Sequence, residues 1–336
     1  MTQRQTFQPL DRLNANLHAK AMRGALAMVL ALGGCGAGST DAASPHPAVA
    51  PAAPPTGDQP GAPSAKAIAV PVLHDAHYGA DARQVLDLYV PAGKRDAPLV
   101  VFVHGGRWFR GGKEQAADYG RIDAMLAAGL AVATINYRYS TTAIWPAQQD
   151  DVLSALEWLK ENGTRLGIDS HHLALWGQSS GAHLALAAAT VLARRKDMSL
   201  RAVVAWFPPS DLTRLRQDRI EDDVPGGNET DQEPLPESML IGAPIATAGA
   251  VADAASPAIT IAALPRDVHL APVLLAHGTM DPTVSPLQSQ RLQRIISGRP
   301  GGFAKLDEVP GARHGGPGFE TETAPSIAFI RERIAP

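Results

Sequence analysis

The strongest constraint on this chain is an alternation that runs from about residue 86 to the C-terminus. Short apolar runs, "PLVVFVHGG" (98–106), "LAVATINYRY" (130–139), "HLALWG" (172–177), "RAVVAWFPP" (201–209) and "PVLLAHG" (272–278), are separated by stretches with helical spacing. Runs this short and this apolar suit strands buried on both faces of a parallel sheet. "LDLYV" (86–90), which alternates apolar and polar residues, and "FAKLDEVPG" (303–311) read as further strands. "PAQQDDVLSALEWLKEN" starts with Pro146 at a helix N-terminus and sets Val152, Ala155, Leu156 and Leu159 on one face. "SGAHLALAAATVLA", "PLQSQRLQRII" and "APSIAFIRERI" follow strands as helices. The expected architecture is therefore α/β, a mostly parallel twisted sheet with helices on both faces. Residues 210 to 271 break the rhythm as a small insertion after the sixth strand, acidic and rich in Pro and Gly in its middle. An insertion at that edge of a sheet either covers a cleft or is a plain surface excursion.

The N-terminal part has a different composition. "MRGALAMVLALGGC" (22–35) has a basic start at Arg23, an apolar run and small residues directly before Cys35. That is the layout of a signal peptide, too short to span a bilayer as an ordinary transmembrane helix. It resembles the lipobox of bacterial lipoproteins, Leu32-Gly33-Gly34-Cys35, which implies lipidation of Cys35 and a membrane anchor; the alternative is a plain secretory signal in which Cys35 is incidental. Residues 1–21 are polar and unlike a compact leader, so Met22 is a candidate true start. Gly36 is not the aspartate that often retains lipoproteins at the inner membrane, so the expected address is the cell envelope, at the outer membrane where two membranes exist. Residues 36–67 are dominated by Ala, Pro, Gly and Ser, which cannot bury a core, and are expected to be a disordered tether. Residues 68–336 then form one large catalytic domain. Cys35 is the only cysteine, so the chain has neither an internal disulfide framework nor a Cys-rich metal cluster. A net charge of −3, with Lys and Arg scattered, gives no electrostatic footprint for nucleic acid.

The chemistry-bearing motif is "LWGQSSGAH" (175–183). Gly177-Gln178-Ser179-Ser180-Gly181 fits G-x-S-x-G only with Ser179 at its centre, because Ser180 would need glycines at 178 and 182. A strand before it and a helix after it make the strand–turn–helix of a nucleophile elbow, for which small residues at 177 and 181 leave room. A serine hydroxyl needs a base, and the order in such folds is Ser, then Asp or Glu, then His. Of eleven histidines, four follow Ser179: His183, His269, His277 and His314. His314, in a Gly-rich loop after a strand, is the one histidine downstream of Asp281, which itself follows the strand "PVLLAHG" by a short turn. Asp307 and Glu308 read as edge-strand surface residues. The expected triad is Ser179, Asp281 and His314. Gly105, Gly106 and Arg107, at the end of an early strand, and the amide of Ser180 are the expected oxyanion hole. His104 is expected to brace that loop and to take no part in proton transfer.

With these residues the domain resembles the α/β-hydrolase superfamily, in the esterase branch of hormone-sensitive-lipase-like, bacterial feruloyl-esterase-like and acetyl-xylan-esterase-like proteins. The similarity rests on "YGADARQVLDLYVPAG", "VFVHGGRWFRGGK", "INYRYS", "WPAQQDDVLSALEWL", "LGIDSHHLALWGQSSGAHLA", "ESMLIG", "ASPAIT" and "LLAHGTMDPTVSPLQSQRL". It implies a serine carboxylic-ester hydrolase, without metal or organic cofactor, acting on short-chain acyl, acetyl or aryl esters of a small molecule or a polysaccharide. Arylformamidase or amidase activity uses the same apparatus and stays open. A prolyl-oligopeptidase-like peptidase would need a large extra domain for which the N-terminal part is too short, and a non-catalytic surface lipoprotein would be expected to have lost a triad residue. Many relatives carry a third glycine where this chain has Arg107, which is expected to favour acids or carboxylate-bearing acyl groups.

Overall fold

A computed structural model describes residues 69–227 and 234–334. The expected signal segment with Cys35, the alternative start at Met22 and the expected tether lie outside the described residues. Eight strands form one sheet: β1 (Leu73–His77), β2 (Val85–Tyr89), β3 (Ala97–Val103), β4 (Ala131–Ile135), β5 (Ile168–Gln178), β6 (Leu200–Trp206), β7 (Val273–Gly278) and β8 (Ala304–Val309). They lie in the order β1-β2-β4-β3-β5-β6-β7-β8. From β4 to β8 all neighbours are parallel, and β2 runs against both β1 and β4.

The pleat divides the core in two. Along β3, Leu99, Val101 and Val103 join one apolar cluster, while Val100 and Phe102 join the other. The first cluster is closed by α2 (Ala147–Leu166) through Val152, Leu156 and Leu159, by α3 (Ser180–Arg194) through Leu184 and Leu186, and by α8 (Leu287–Ser297) through Leu292 and Ile296. The second is closed by α1 (Arg121–Ala127) through Ile122 and Met125, and by α9 (Thr323–Ile334) through Ile327 and Ile330. Burial on both faces explains why the central strands are continuous apolar runs and not alternating ones.

β2 departs from its sequence pattern. Its alternation suggests a polar face, yet all five residues are buried. Asp87 at the polar position is 5% exposed and pairs at 2.6 Å with Lys113 Nζ, itself 3% exposed. The charge is buried with its partner, so the alternation marks an internal ion pair.

The insertion between β6 and β7 carries α4 (Leu215–Asp222), α5 (Pro236–Ile241), α6 (Ala250–Ala254) and α7 (Pro257–Ala262). α7 packs on α3 and α8 with Ala258 and Ile261 in the core, while α4 and the start of α5 stand over the C-terminal edge of the sheet beside Ser179. Of the two expectations for this segment, the covering one holds. Because β3, β5, β6, β7 and β8 are parallel, the loops after them open at that same edge. No helix among the described residues is long and apolar enough to cross a membrane.

Candidate active site

β5 ends at Gln178 and α3 begins at Ser180, leaving a single residue, Ser179, to turn the chain. Ser179 has φ 53° and ψ −125°, a conformation that L-residues avoid and that persists only where the surroundings enforce it. The enforcement comes from crowded backbone. A Cβ at Gly177 would lie 2.3 Å from the Gly181 carbonyl oxygen, and one at Gly181 would lie 2.0 Å from the Val103 carbonyl oxygen. Both positions must be glycine for β5, α3 and the end of β3 to approach this closely. Ser180 is the first residue of α3, where a peptide N–H has no acceptor within the helix and carries partial positive charge.

The turn after β7 delivers Asp281 and the loop after β8 delivers His314. His314 Nε2 is 2.8 Å from Ser179 Oγ, and His314 Nδ1 is 2.7 Å from Asp281 Oδ2. A carboxylate only accepts, so Nδ1 carries the proton and Nε2 is left to accept from the serine hydroxyl. Asp281 is 1% exposed. Burial alone would raise its pKa; the opposing charge of His314, with hydrogen bonds from His277 and His314, holds it well below the usual carboxylate range. Its Oδ1 also accepts from the peptide N–H groups of Thr283 at 2.8 Å and Val284 at 3.0 Å.

His277 is a member of this site that the motif reading passed over. Its Nε2–H donates to the Val284 carbonyl at 2.9 Å and lies 3.4 Å from Asp281 Oδ2, while its Nδ1 is 2.6 Å from Ser289 Oγ. It thus ties the carboxylate to β7 and α8. The signal was present in "HGTMD", a histidine four residues before the acid, but strand position alone did not reveal that the ring turns toward the carboxylate.

The loop after β3 differs in one respect from expectation. The Gly105 N–H donates to Gln115 Oε1 at 3.0 Å, so it is not available to an oxyanion. Gly106 and Arg107 line the cavity at Ser179, and their N–H groups have no acceptor among the described residues. Together with the Ser180 N–H they are the free donors. Gly105 instead supplies close approach, since a Cβ there would lie 2.9 Å from the Gln178 carbonyl oxygen. Gln115 also accepts from Gln178 Nε2 at 2.8 Å, so this side chain links the elbow to the loop after β3. Nothing in its sequence context marks it.

Two other histidines are fully buried. His104 donates from Nδ1 to the Gly105 carbonyl at 2.7 Å and stacks on Tyr137. His183 donates from Nε2 to the Ala255 carbonyl at 2.6 Å and accepts from Trp108 Nε1 at 3.2 Å. Burial lowers each pKa to about 4, so both are neutral braces near pH 7. Asp307 and Glu308 lie on the edge strand β8, away from His314, as the sequence suggests. One set of potential metal ligands occurs among the described residues, His74, Asp75 and Asp87, and both carboxylates there are ion-paired with Lys113 Nζ.

Ser179 stands where two cavities meet, one of about 270 Å³ lined by His314, Phe207 and Gly315, and one of about 40 Å³ lined by Leu215, Pro209 and Val284. Arg107 borders both.

A family model, BD-FAE, matches residues 86–296. Esterase LipQ of Mycobacterium tuberculosis is 26% identical over 253 residues, which is 71% of this chain and 56% of LipQ. Carboxylesterase NlhH of the same organism is 32% identical over 122 residues, 36% of this chain and 38% of NlhH. The chain thus spans little more than half, or less, of these relatives' lengths. Among solved structures, a truncated form of a carbohydrate esterase from gut microbiota superposes with TM-score 0.67 at 26% identity, over 81% of this chain and 99% of that one. Carboxyl esterase 2 of Tuber melanosporum superposes with TM-score 0.63 at 22% identity, over 74% and 82% of the two chains, and shares the fold. The architecture is that of an α/β-hydrolase.

Proposed function

We propose, from the premise that this chain belongs to the BD-FAE family, that it hydrolyses carboxylic esters through an acyl-enzyme formed on Ser179. The observation that carries this reading is the unbroken hydrogen-bond line from Ser179 Oγ through His314 to Asp281. His314 Nε2 takes the hydroxyl proton as Ser179 Oγ attacks the ester carbonyl, and Asp281 stays ionised and stabilises the imidazolium. The N–H groups of Gly106, Arg107 and Ser180 receive the oxyanion, each worth on the order of 3 kcal/mol in the transition state. His314 then returns the proton to the leaving alcohol oxygen, and water, deprotonated by the same imidazole, releases the acid.

The small cavity beside Ser179 favours short acyl groups, and the carbohydrate esterase among the structural neighbours agrees with a sugar-borne ester as substrate. Purified protein incubated with 4-nitrophenyl acetate, butyrate and octanoate, beside N-formylkynurenine, tests the reading. The expected result is turnover of the esters that falls with chain length and is absent in Ser179→Ala. Turnover of the formamide alone would replace ester hydrolysis with amide hydrolysis. The segment before the domain supports export and lipid attachment at Cys35, with the envelope as the place of action. Radiolabelled palmitate incorporated into the wild type but not into Cys35→Ala is the expected outcome, and equal labelling of both would refute it.

A further inference from the structure

Position relative to His314 divides the two cavities at Ser179 between the two halves of an ester. The leaving oxygen must lie where His314 Nε2 can protonate it, so the alcohol belongs in the larger cavity, which His314 lines. The acyl chain belongs in the smaller one, which His314 does not line. A single water needs roughly 10–15 Å³ of such space, so about 40 Å³ accommodates a methyl or ethyl group. Glu237, buried at 4% exposure, borders this smaller cavity together with Arg107 and Arg219.

The larger cavity carries more ionic groups. Arg107, Arg110 and Arg121 line it with two carboxylates, Asp118 and Glu320. Both carboxylates are taken by Arg121, Glu320 at 2.8 Å and Asp118 at 3.8 Å. Arg107 and Arg110 have no ion-pair partner among the described residues. Arg107 is the more telling of the two. Its φ of 54° lies in the left-handed region that favours glycine, so a long cationic side chain is kept where the backbone would prefer none. Burial, and then the charges of Arg110 and Arg219, lower the pKa of its guanidinium against the opposing charge of Glu237.

We propose that Arg107 and Arg110 select esters in which a small acyl group, acetyl in size, is carried by an alcohol that bears a carboxylate. The inference rests on the ester-hydrolysis reading above and deepens it. It moves the anionic group from the acyl side, where the sequence alone put it, to the leaving group. The chemistry stays that of hydrolysis: the ester C–O bond breaks after the Ser179 Oγ–carbonyl bond forms, the hydroxy acid departs with the proton from His314, and water releases acetate. A uronate-containing glycan and an aromatic hydroxy acid both offer such an alcohol.

Two matched pairs test it: 5-acetoxy-2-nitrobenzoate against 4-nitrophenyl acetate, and methyl 2-O-acetyl-glucuronoside against methyl 2-O-acetyl-glucoside, each corrected for its rate with hydroxide. The expected result is a preference for the carboxylate member of at least one pair, roughly tenfold at low ionic strength, as for one charge-assisted hydrogen bond. The preference should be expressed in KM and should shrink with added salt. It should shrink in Arg110→Gln, whose side chain is exposed and outside the oxyanion hole, and further in Arg107→Gln. Preference in the sugar pair marks a uronate source, and preference confined to the aromatic pair marks a hydroxy acid. Mono(4-nitrophenyl) succinate should be a poorer substrate than the acetate. Equal rates within both pairs, a preference unchanged in both variants, or a preferred succinate would overturn the proposal while leaving ester hydrolysis standing. Turnover of none of these esters would remove the esterase reading, and the inference with it.

Discussion

The two ends of the triad are held by different means. At the serine end the backbone itself is the constraint: Gly177 and Gly181 let three chain segments meet, and a Cβ at either would collide with main-chain atoms. At the acid–base end the constraint is polar. Asp281 collects two peptide N–H groups and two imidazoles, and His314 rests on Phe207 with ring centroids 4.5 Å apart. Crowded backbone has one solution, whereas a hydrogen-bonded carboxylate can lose a donor and keep its place. The serine end should therefore fail abruptly when altered and the acid–base end by degrees.

The largest expected effect lies at the point where the two ends meet. Ser179→Ala should lower kcat for 4-nitrophenyl acetate by on the order of 10⁴ to 10⁶ without lowering the melting temperature, because the proposed mechanism uses the hydroxyl as nucleophile while the strained turn remains. A variant with residual turnover within tenfold of the parent would show that Ser179 is not the attacking group.

Acidification separates the ends without mutation. His104 and His183 sit on the serine side, buried and neutral, with pKa values lowered to about 4 against about 6.5 in an unfolded chain. Between these values the unfolded state binds more protons than the native one, so stability rises with pH there and is lost progressively as pH falls from about 6.5 to about 4. Each histidine accounts for at most about 3 kcal/mol of that loss. Asp281 has its pKa depressed, so the stability it contributes is present above the ordinary carboxylate range and is lost only at lower pH, as its folded value is approached. Urea melts at pH 7, 5.5 and 4.5 should show the decline, and His183→Gln should flatten it. A stability independent of pH over that window would contradict the neutral, buried state of both rings.

Gly181→Ala tests the backbone argument directly. Its added methyl would sit 2.0 Å from the Val103 carbonyl oxygen, so β3 or α3 must shift, at a cost of roughly 3 kcal/mol or more, with activity lost as the elbow opens. A well-folded, active Gly181→Ala would mean that the approach of these segments is looser than described. His277→Gln is the counterpart at the other end. Removing the ring takes one donor from Asp281 but leaves the Thr283 and Val284 amides, so kcat should fall roughly tenfold with KM unchanged. A loss as large as that of Ser179→Ala would place His277 in proton transfer itself.

The same contrast explains what could be read from the sequence. Both faces of the sheet are covered, so its central strands appeared as uninterrupted apolar runs. The elbow appeared because steric crowding admits only glycine at 177 and 181. Chain order and the scarcity of downstream histidines pointed to His314 and Asp281, which occupy loops at one edge. Interactions made through ordinary polar side chains were not legible. Gln115 reaches both Gly105 and Gln178 across tens of residues, and no local pattern distinguishes it from a surface glutamine. Asp87 looked like the polar beat of a half-exposed strand because its partner, Lys113, comes from another part of the chain. The engagement of the Gly105 N–H was invisible for the same reason, and with it the restriction of the free N–H donors beside Ser179 to Gly106, Arg107 and Ser180.

The smallest expected effect separates the backbone from the side chain at a single residue. Ser180 is fully buried, and its hydroxyl lies 3.4 Å from Tyr137 Oη, at the long limit of a hydrogen bond. In the proposed mechanism its peptide N–H is the group that receives the oxyanion. Ser180→Ala keeps that N–H and the helix start and removes only the long contact, so it should cost no more than about 1 kcal/mol of stability and leave kcat within about threefold of the parent. If Ser180→Ala instead lost activity as Ser179→Ala does, the hydroxyl of Ser180 would have to take part in the chemistry. The G-x-S-x-G register that makes Ser179 the nucleophile would then be insufficient to describe the elbow.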